Sequence, residues 1–236
     1  MQLLSKKSMV LATGFCVCFG LIGNVSFAGA QELSIEESYL QESVNIMIIR
    51  EQIKSPDREG KLIALDNIRQ MIADGNDPKE LQPLLAYMAL EGILNKIRED
   101  GRTANNYPDI RIKAVEYLGD VKTKEASDTL LRVILVDNEP SVISTAVRSL
   151  GKLGYNDNDY TVNVILYVFS QYDSTRPNNI LALSVIDTCS AFLDSGDAKN
   201  PAVYGALMRI SNNAAYIKPV RDYASKTLAK LYSKNS

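Results

Sequence analysis

Apolar residues return every three to four positions along almost the whole chain, and no strict alternation runs long enough to predict a sheet. Cut at its stop and start signals, this pattern predicts about ten helices. They span 34–54, 59–74, 78–99, 109–119, 123–137, 140–152, 159–172, 177–194, 201–213 and 218–233. Ser34-Ile35-Glu36-Glu37 reads as a capping box, in which the serine hydroxyl caps a free amide and the glutamate reaches back. Asp77-Pro78-Lys79-Glu80 sets a capping acid before a proline at the first helical position, where the missing N–H costs nothing. Asn200-Pro201 repeats the device. Gly75, Gly101, Gly119 and Gly196 are expected to end helices, because glycine accepts the left-handed conformation of a C-cap. The connections are short, so consecutive helices should run antiparallel. Asn156-Asp157-Asn158-Asp159 is the most polar linker in the second half, and 101–108 is the longest break.

The segments resemble one another. Pro108-Asp109-Ile110-Arg111 is followed by Ala114, Leu118 and Gly119. Pro140-Ser141-Val142-Ile143 is followed by Ala146, Leu150 and Gly151 at identical offsets. A third copy has Pro219, Val220, Arg221, Ala224 and Leu228, with its proline one place late; Leu62-Ile63-Ala64 with Ile68 and the stretch from Pro177 to Ile186 are weaker copies. Alanine and leucine four apart share a helix face, and the small alanine lets a neighbouring helix approach. Between copies, Ala126, Leu130, Leu131, Ile134 and Leu135 are expected to form the apolar face of a second helix. A single pair cannot bury such stripes, so the pairs should stack into an array.

The best stretch runs through Ile110-Arg111, Ala114, Leu118-Gly119-Asp120, Ala126, Leu130-Leu131, Ile134-Leu135, Asp137 and Pro140-Ser141-Val142. It resembles the bacterial HEAT repeat family, in the variety also found in phycobilin lyase subunits, over about residues 100–230. The resemblance implies an all-α, right-handed α-solenoid of antiparallel helix pairs over 58–236. It implies binding rather than catalysis, since such arrays serve unrelated partners. Arg111 is replaced by Ile143 in the next copy, so a ladder of arginines is broken. Residues 31–57 lie outside the repeat. Their stripe of Ile35, Tyr39, Leu40, Val44, Met47 and Ile48 reads as a capping helix, or else as a dimerising or partner-binding one.

The first thirty residues change the picture of where the chain acts. Lys6 and Lys7 precede an uncharged apolar run from Met9 to about Gly23, and Ala28-Gly29-Ala30 offers small residues for a cut after Ala30. Residues 1–30 therefore read as a signal peptide, and the chain as periplasmic or secreted. The run is shorter than the ~20 apolar residues of a membrane span, and nothing later is long enough for a transmembrane segment. Cys16 and Cys18 fall in the expected leader, with neighbours that fit lipid attachment poorly. After cleavage the formal charge moves from −2 to −4, because two lysines and no acids are lost, and this argues against a nucleic-acid partner. One cysteine then remains, Cys189, so no intrachain disulfide can form.

Candidate chemistry is thin. The chain has no histidine, which removes the commonest general base and metal ligand. Cys189 sits in an apolar helix and reads as a structural thiol. Asn156 to Asp159 has the alternating oxygens of a calcium loop but lacks its glycine and distant glutamate, so capping accounts for it better. Glu36, Glu37 and Glu42 suit the start of a helix dipole, and no glycine cluster forms a phosphate cradle. No catalytic residue, metal site or cofactor is assigned. The resemblance places binding on the second helix of each pair. Arg132, Tyr167, Tyr172 and Arg209 are the large groups expected off the apolar stripe there, and tyrosine and arginine are favoured interface anchors. The expected function is an exported, non-catalytic scaffold or adaptor with a protein partner. The alternatives are an enzyme subunit of the lyase-associated type or a carrier of a small apolar ligand.

Overall fold

A computed structural model describes residues 44–195 and 200–234. The capping box at Ser34, the leader with Cys16 and Cys18, and Gly196 lie outside the described residues. Ten α-helices occur among those described: α1 (Val44–Lys54), α2 (Arg58–Ala73), α3 (Pro78–Ala89), α4 (Pro108–Val121), α5 (Lys124–Val136), α6 (Pro140–Leu153), α7 (Tyr160–Thr175), α8 (Asn179–Ser195), α9 (Ala202–Asn212) and α10 (Lys218–Lys234). The predicted caps recur as contacts. Asp77 accepts from the Lys79 amide at 2.9 Å ahead of Pro78, and Asn200 accepts from the Ala202 amide at 2.9 Å. Asp57 and Thr123 cap α2 and α5 in the same way.

The helices pack as an all-α, HEAT-like solenoid. First helices α2, α4, α6, α8 and α10 stack in one row, second helices α3, α5, α7 and α9 in another, and α1 packs on α2 and α3. The repeated positions form its seam: Ile110, Ala114, Leu118, Val142, Ala146, Leu150, Val220, Ala224 and Leu228 are all buried. Gly119, expected to end a helix, lies inside α4, and Gly151 likewise lies inside α6. A Cβ on Gly119 would come within 3.0 Å of the Ser149 side chain, and one on Gly151 within 2.9 Å of Thr188 Oγ1. Their repeat at one offset therefore reflects close approach of neighbouring first helices. Thr188 uses that approach to donate from its hydroxyl to the Val147 carbonyl at 3.0 Å. The αL residues that end α4 and α6 are Lys122 and Gly154. Along the outside of the first row, Arg58–Asp109 at 2.5 Å, Lys113–Asp66 at 3.3 Å, Lys152–Asp120 and Lys230–Asp194 at 2.7 Å bridge successive helices. Exposed pairs of this kind contribute at most about 1 kcal/mol each.

One predicted helix is wrong over its last ten residues. Periodicity carries it to residue 99, yet α3 ends at Ala89, and 90–107 form an insertion with a short antiparallel hairpin, β1 (Arg98–Glu99) and β2 (Arg102–Thr103). Gly101 belongs to that turn rather than to a helix end. Gly92 stands at φ +71, and a Cβ there would fall 2.4 Å from the Asn105 carbonyl oxygen, so the turn needs glycine. Asn105 then organises the insertion from its centre. Its side-chain amide donates to Glu91 Oε1 at 2.8 Å and to the Asn95 carbonyl, and its side-chain Oδ1 accepts from the Ile97 amide at 2.8 Å.

The insertion is wired into the core by buried charges. Lys61 of α2 pairs with Glu91 at 3.1 Å, with both side chains 1% exposed, and donates to the Ile53 carbonyl at the end of α1. Arg111 of α4 donates to the Glu91 carbonyl at 3.1 Å and to Asn106 at 2.9 Å. It also grips Asp137, past the end of α5, through two bonds of 2.7 and 3.3 Å. Each of the four buried charges, Lys61, Glu91, Arg111 and Asp137, faces an opposite charge, as a buried charge must.

Candidate binding face

The outward stripe of each second helix recurs every three to four residues. On α5 it carries Asp128, Arg132 and Leu135; on α7, Asn163, Tyr167 and Gln171; on α9, Gly205, Met208 and Arg209. Large apolar side chains about half exposed along this row include Leu135 at 50%, Tyr160 at 57%, Tyr167 at 60% and Met208 at 49%. Because α5 packs on α7 and α7 on α9, the stripes are neighbours across three consecutive pairs.

Of the four residues expected here, Arg132, Tyr167 and Arg209 do point outward. Tyr172 does not. It is buried, its hydroxyl donating to the Asn138 carbonyl at 3.3 Å, with the Arg176 guanidinium 4.8 Å from its ring centroid. Burial raises its pKa above that of an ordinary tyrosine. The correction follows from angle: at 100° per residue, position 172 shares a face with the core residues Ile165, Val168 and Phe169. Arg209 is outward but not free, lying 3.4 Å from Asp173 of α7. Asp173 also accepts from the Tyr216 hydroxyl at 2.8 Å and from Asn213 at 3.3 Å, which ties α7 to the turn after α9.

Leu135 was expected in the buried stripe and instead opens onto a groove of about 260 Å³ between α5 and α7. Ile134, Leu135, Asn138, Tyr167, Gln171 and Tyr172 are among its walls, with Arg176 at one end. Sequence reasoning missed Leu135, Met208 and Arg176. The last turn of α5 has no further helix to cover Leu135, and nothing local in Leu130-Leu131 with Ile134-Leu135 marks which leucine lies past the contact. Tyr167 and Tyr172 thus share one groove, whereas Arg132 sits one turn from Leu135 and Arg209 on the next helix.

The other candidates are structural in their contacts. Cys189 is fully buried, and burial alone pushes its thiol up to about 12. Asn156 accepts from the Val162 amide at 3.2 Å and donates to Asp159 at 3.1 Å, closing the turn into α7. Among the described residues no group of three or more His, Cys, Asp or Glu side chains is placed to hold a metal ion, and no helix is long and apolar enough to cross a membrane.

Residues 100–162 match the family model for HEAT repeats, which covers the end of the insertion, α4, α5, α6 and the start of α7. No curated protein and no solved structure matches the chain. The matched segment, the stacked rows and the copy of Pro108–Gly119 at Pro140–Gly151 agree in making residues 100–162 a run of HEAT repeats.

Proposed function

We propose that this chain is an exported, non-catalytic scaffold or adaptor of the cell envelope, and that it binds a protein through its second helices. HEAT repeats mediate protein–protein contacts in general, and proteins built from them are typically non-catalytic. The observation that carries the reading is the line of Leu135, Tyr167 and Met208 across three helices, flanked by Arg132 and Arg209. Tyrosine and arginine beside exposed apolar groups are the make-up of interface anchors. Export rests on Lys6 and Lys7, the apolar run and Ala28-Gly29-Ala30.

Cross-linking on intact cells that carry a tagged full-length chain, read by mass spectrometry, tests both parts. Recurrent cross-links from Lys124 to one envelope protein, on a chain whose first residue is Gln31, are expected. Repeated native experiments that return no protein neighbour would overturn the scaffold, and a chain that retains residues 1–30 in the cytoplasm would overturn export.

A further inference from the structure

We propose that the second-helix face takes an extended partner segment of about six residues that carries both carboxylates and apolar side chains. This rests on the protein-binding reading above and adds the chemistry of the partner. The charge on the C-terminal halves of the second helices is one-sided. From Thr129 to Val136 on α5, from Leu166 to Arg176 at the end of α7 and from Gly205 to Asn212 on α9, the sequence holds three arginines and a single carboxylate. The arginines are Arg132, Arg176 and Arg209, and all three are exposed.

The single carboxylate is Asp173, with a side chain only 12% exposed and already engaged by Arg209, Asn213 and Tyr216. Asp137, just past α5, is buried against Arg111. Asp128, on the earlier turn of α5, is paired with Lys124 at 3.0 Å. Toward the C-terminal ends of these helices the acids are thus turned inward or paired, while the guanidinium groups remain at the surface; the exposed Glu125 lies on the first turn of α5, two turns from Arg132. Arg132 is exposed and forms no ion pair among the described residues, and the Arg176 guanidinium lies over the Tyr172 ring, 4.8 Å from its centroid, beside the groove. A chain of net charge −2 that presents such a face favours an acidic partner there.

Size fixes the length of the segment. Packed helices lie ~8–10 Å apart, so α5 to α9 spans about 20 Å. An extended backbone covers ~3.3 Å per residue, which makes six residues enough to cross the face. One apolar side chain of the segment enters the groove between Leu135 and Tyr167, and a second lies on Met208. Carboxylates then meet Arg132 on one flank and Arg176 on the other, where the planar guanidinium suits them.

The test is selection of a random heptapeptide display library on the purified full chain. Enriched peptides are then synthesised with a fluorophore and titrated by anisotropy. Enrichment of peptides with at least two carboxylates among apolar residues is expected. Arg132→Glu and Tyr167→Ala should each weaken such a peptide about tenfold or more, with thermal unfolding unchanged because both side chains are exposed. Raising salt from about 50 to about 500 mM should weaken it further. Enrichment of basic or neutral peptides whose binding is lost in Tyr167→Ala would overturn the acidic chemistry and leave the protein-binding reading intact. Peptides insensitive to both substitutions, or no enrichment at all, would overturn this face as the site. A labelled single-stranded oligonucleotide that binds more tightly than any peptide, and is released by Arg132→Glu, would overturn it in favour of nucleic acid.

Discussion

Replacing Arg111 with Met should be among the most damaging single changes available in this protein. The guanidinium and the Asp137 carboxylate are each 2% exposed, and the two bonds between them measure 2.7 and 3.3 Å. Methionine fills much of the volume but leaves Asp137 buried with one remaining donor, the Glu139 amide at 2.9 Å. Removing one partner of a buried pair costs roughly 3–5 kcal/mol, because the surviving charge keeps its desolvation penalty without its compensation. Two further bonds are lost, to the Glu91 carbonyl and to Asn106, so the insertion should loosen as well. For a domain of this size each kcal/mol moves the midpoint by about 2–4 °C, which predicts a fall of roughly 6–20 °C. Arg111→Met combined with Asp137→Leu removes both charges and should recover most of the loss, since apolar replacement of a whole buried pair is often near neutral. Urea unfolding followed by circular dichroism measures the four corners of this cycle. A loss below about 1 kcal/mol for Arg111→Met, or a double variant as unstable as the sum of the singles, would refute the reasoning.

Other positions give sharper local readouts. Gly151→Ala should cost about 1–3 kcal/mol by pushing α8 from α6, and Thr188→Ala in the same chain should restore part of it, because the clash is with the Thr188 side chain. Gly92→Ala meets backbone rather than a side chain, at 2.4 Å from the Asn105 carbonyl oxygen; amide exchange at Ile97 and Ala104 should accelerate while that of the α6 core stays slow. The Cys189 thiol is raised in the folded state from 9.0 to about 12, so its stabilising protonated form is fully present below pH 9 and is lost as pH rises toward 12. Stability should therefore decline over that window by up to about 1.4 kcal/mol per pH unit. Cys189→Ala should flatten the decline, as seen by thermal melts from pH 8.5 upward.

Much of the array could be read directly. Pro78, Pro108 and Pro140 mark true helix starts because a proline at the first turn loses no hydrogen bond, and the Ala114/Leu118 and Ala146/Leu150 pairs are fully buried as their spacing predicts. What could not be read depended on contacts between distant residues. Leu90, Ile93, Leu94 and Ile97 continue a helical rhythm, yet Asn105, eight to fourteen residues on, claims the backbone and side-chain groups that the helix would have used. Gly119 and Gly151 were visible as a repeat, but only the neighbouring Ser149 and Thr188 reveal that they make room rather than end helices. Lys61 and Glu91 carry no local mark of burial, since their pairing joins α2 to the insertion. On the candidate face, Tyr167 and Tyr172 differ by five residues, which is enough to send one outward and the other into the core.

The central claim is that the second-helix row, not the first, meets a protein partner. Site-specific photo-cross-linking in intact cells tests it, with the reactive group placed at position 167 on α7 and, in a separate chain, at position 116 on α4, which is exposed on the first row. A single recurrent protein adduct from position 167, absent from position 116, is the predicted result. Adducts from position 116 alone, or none from position 167, would contradict it.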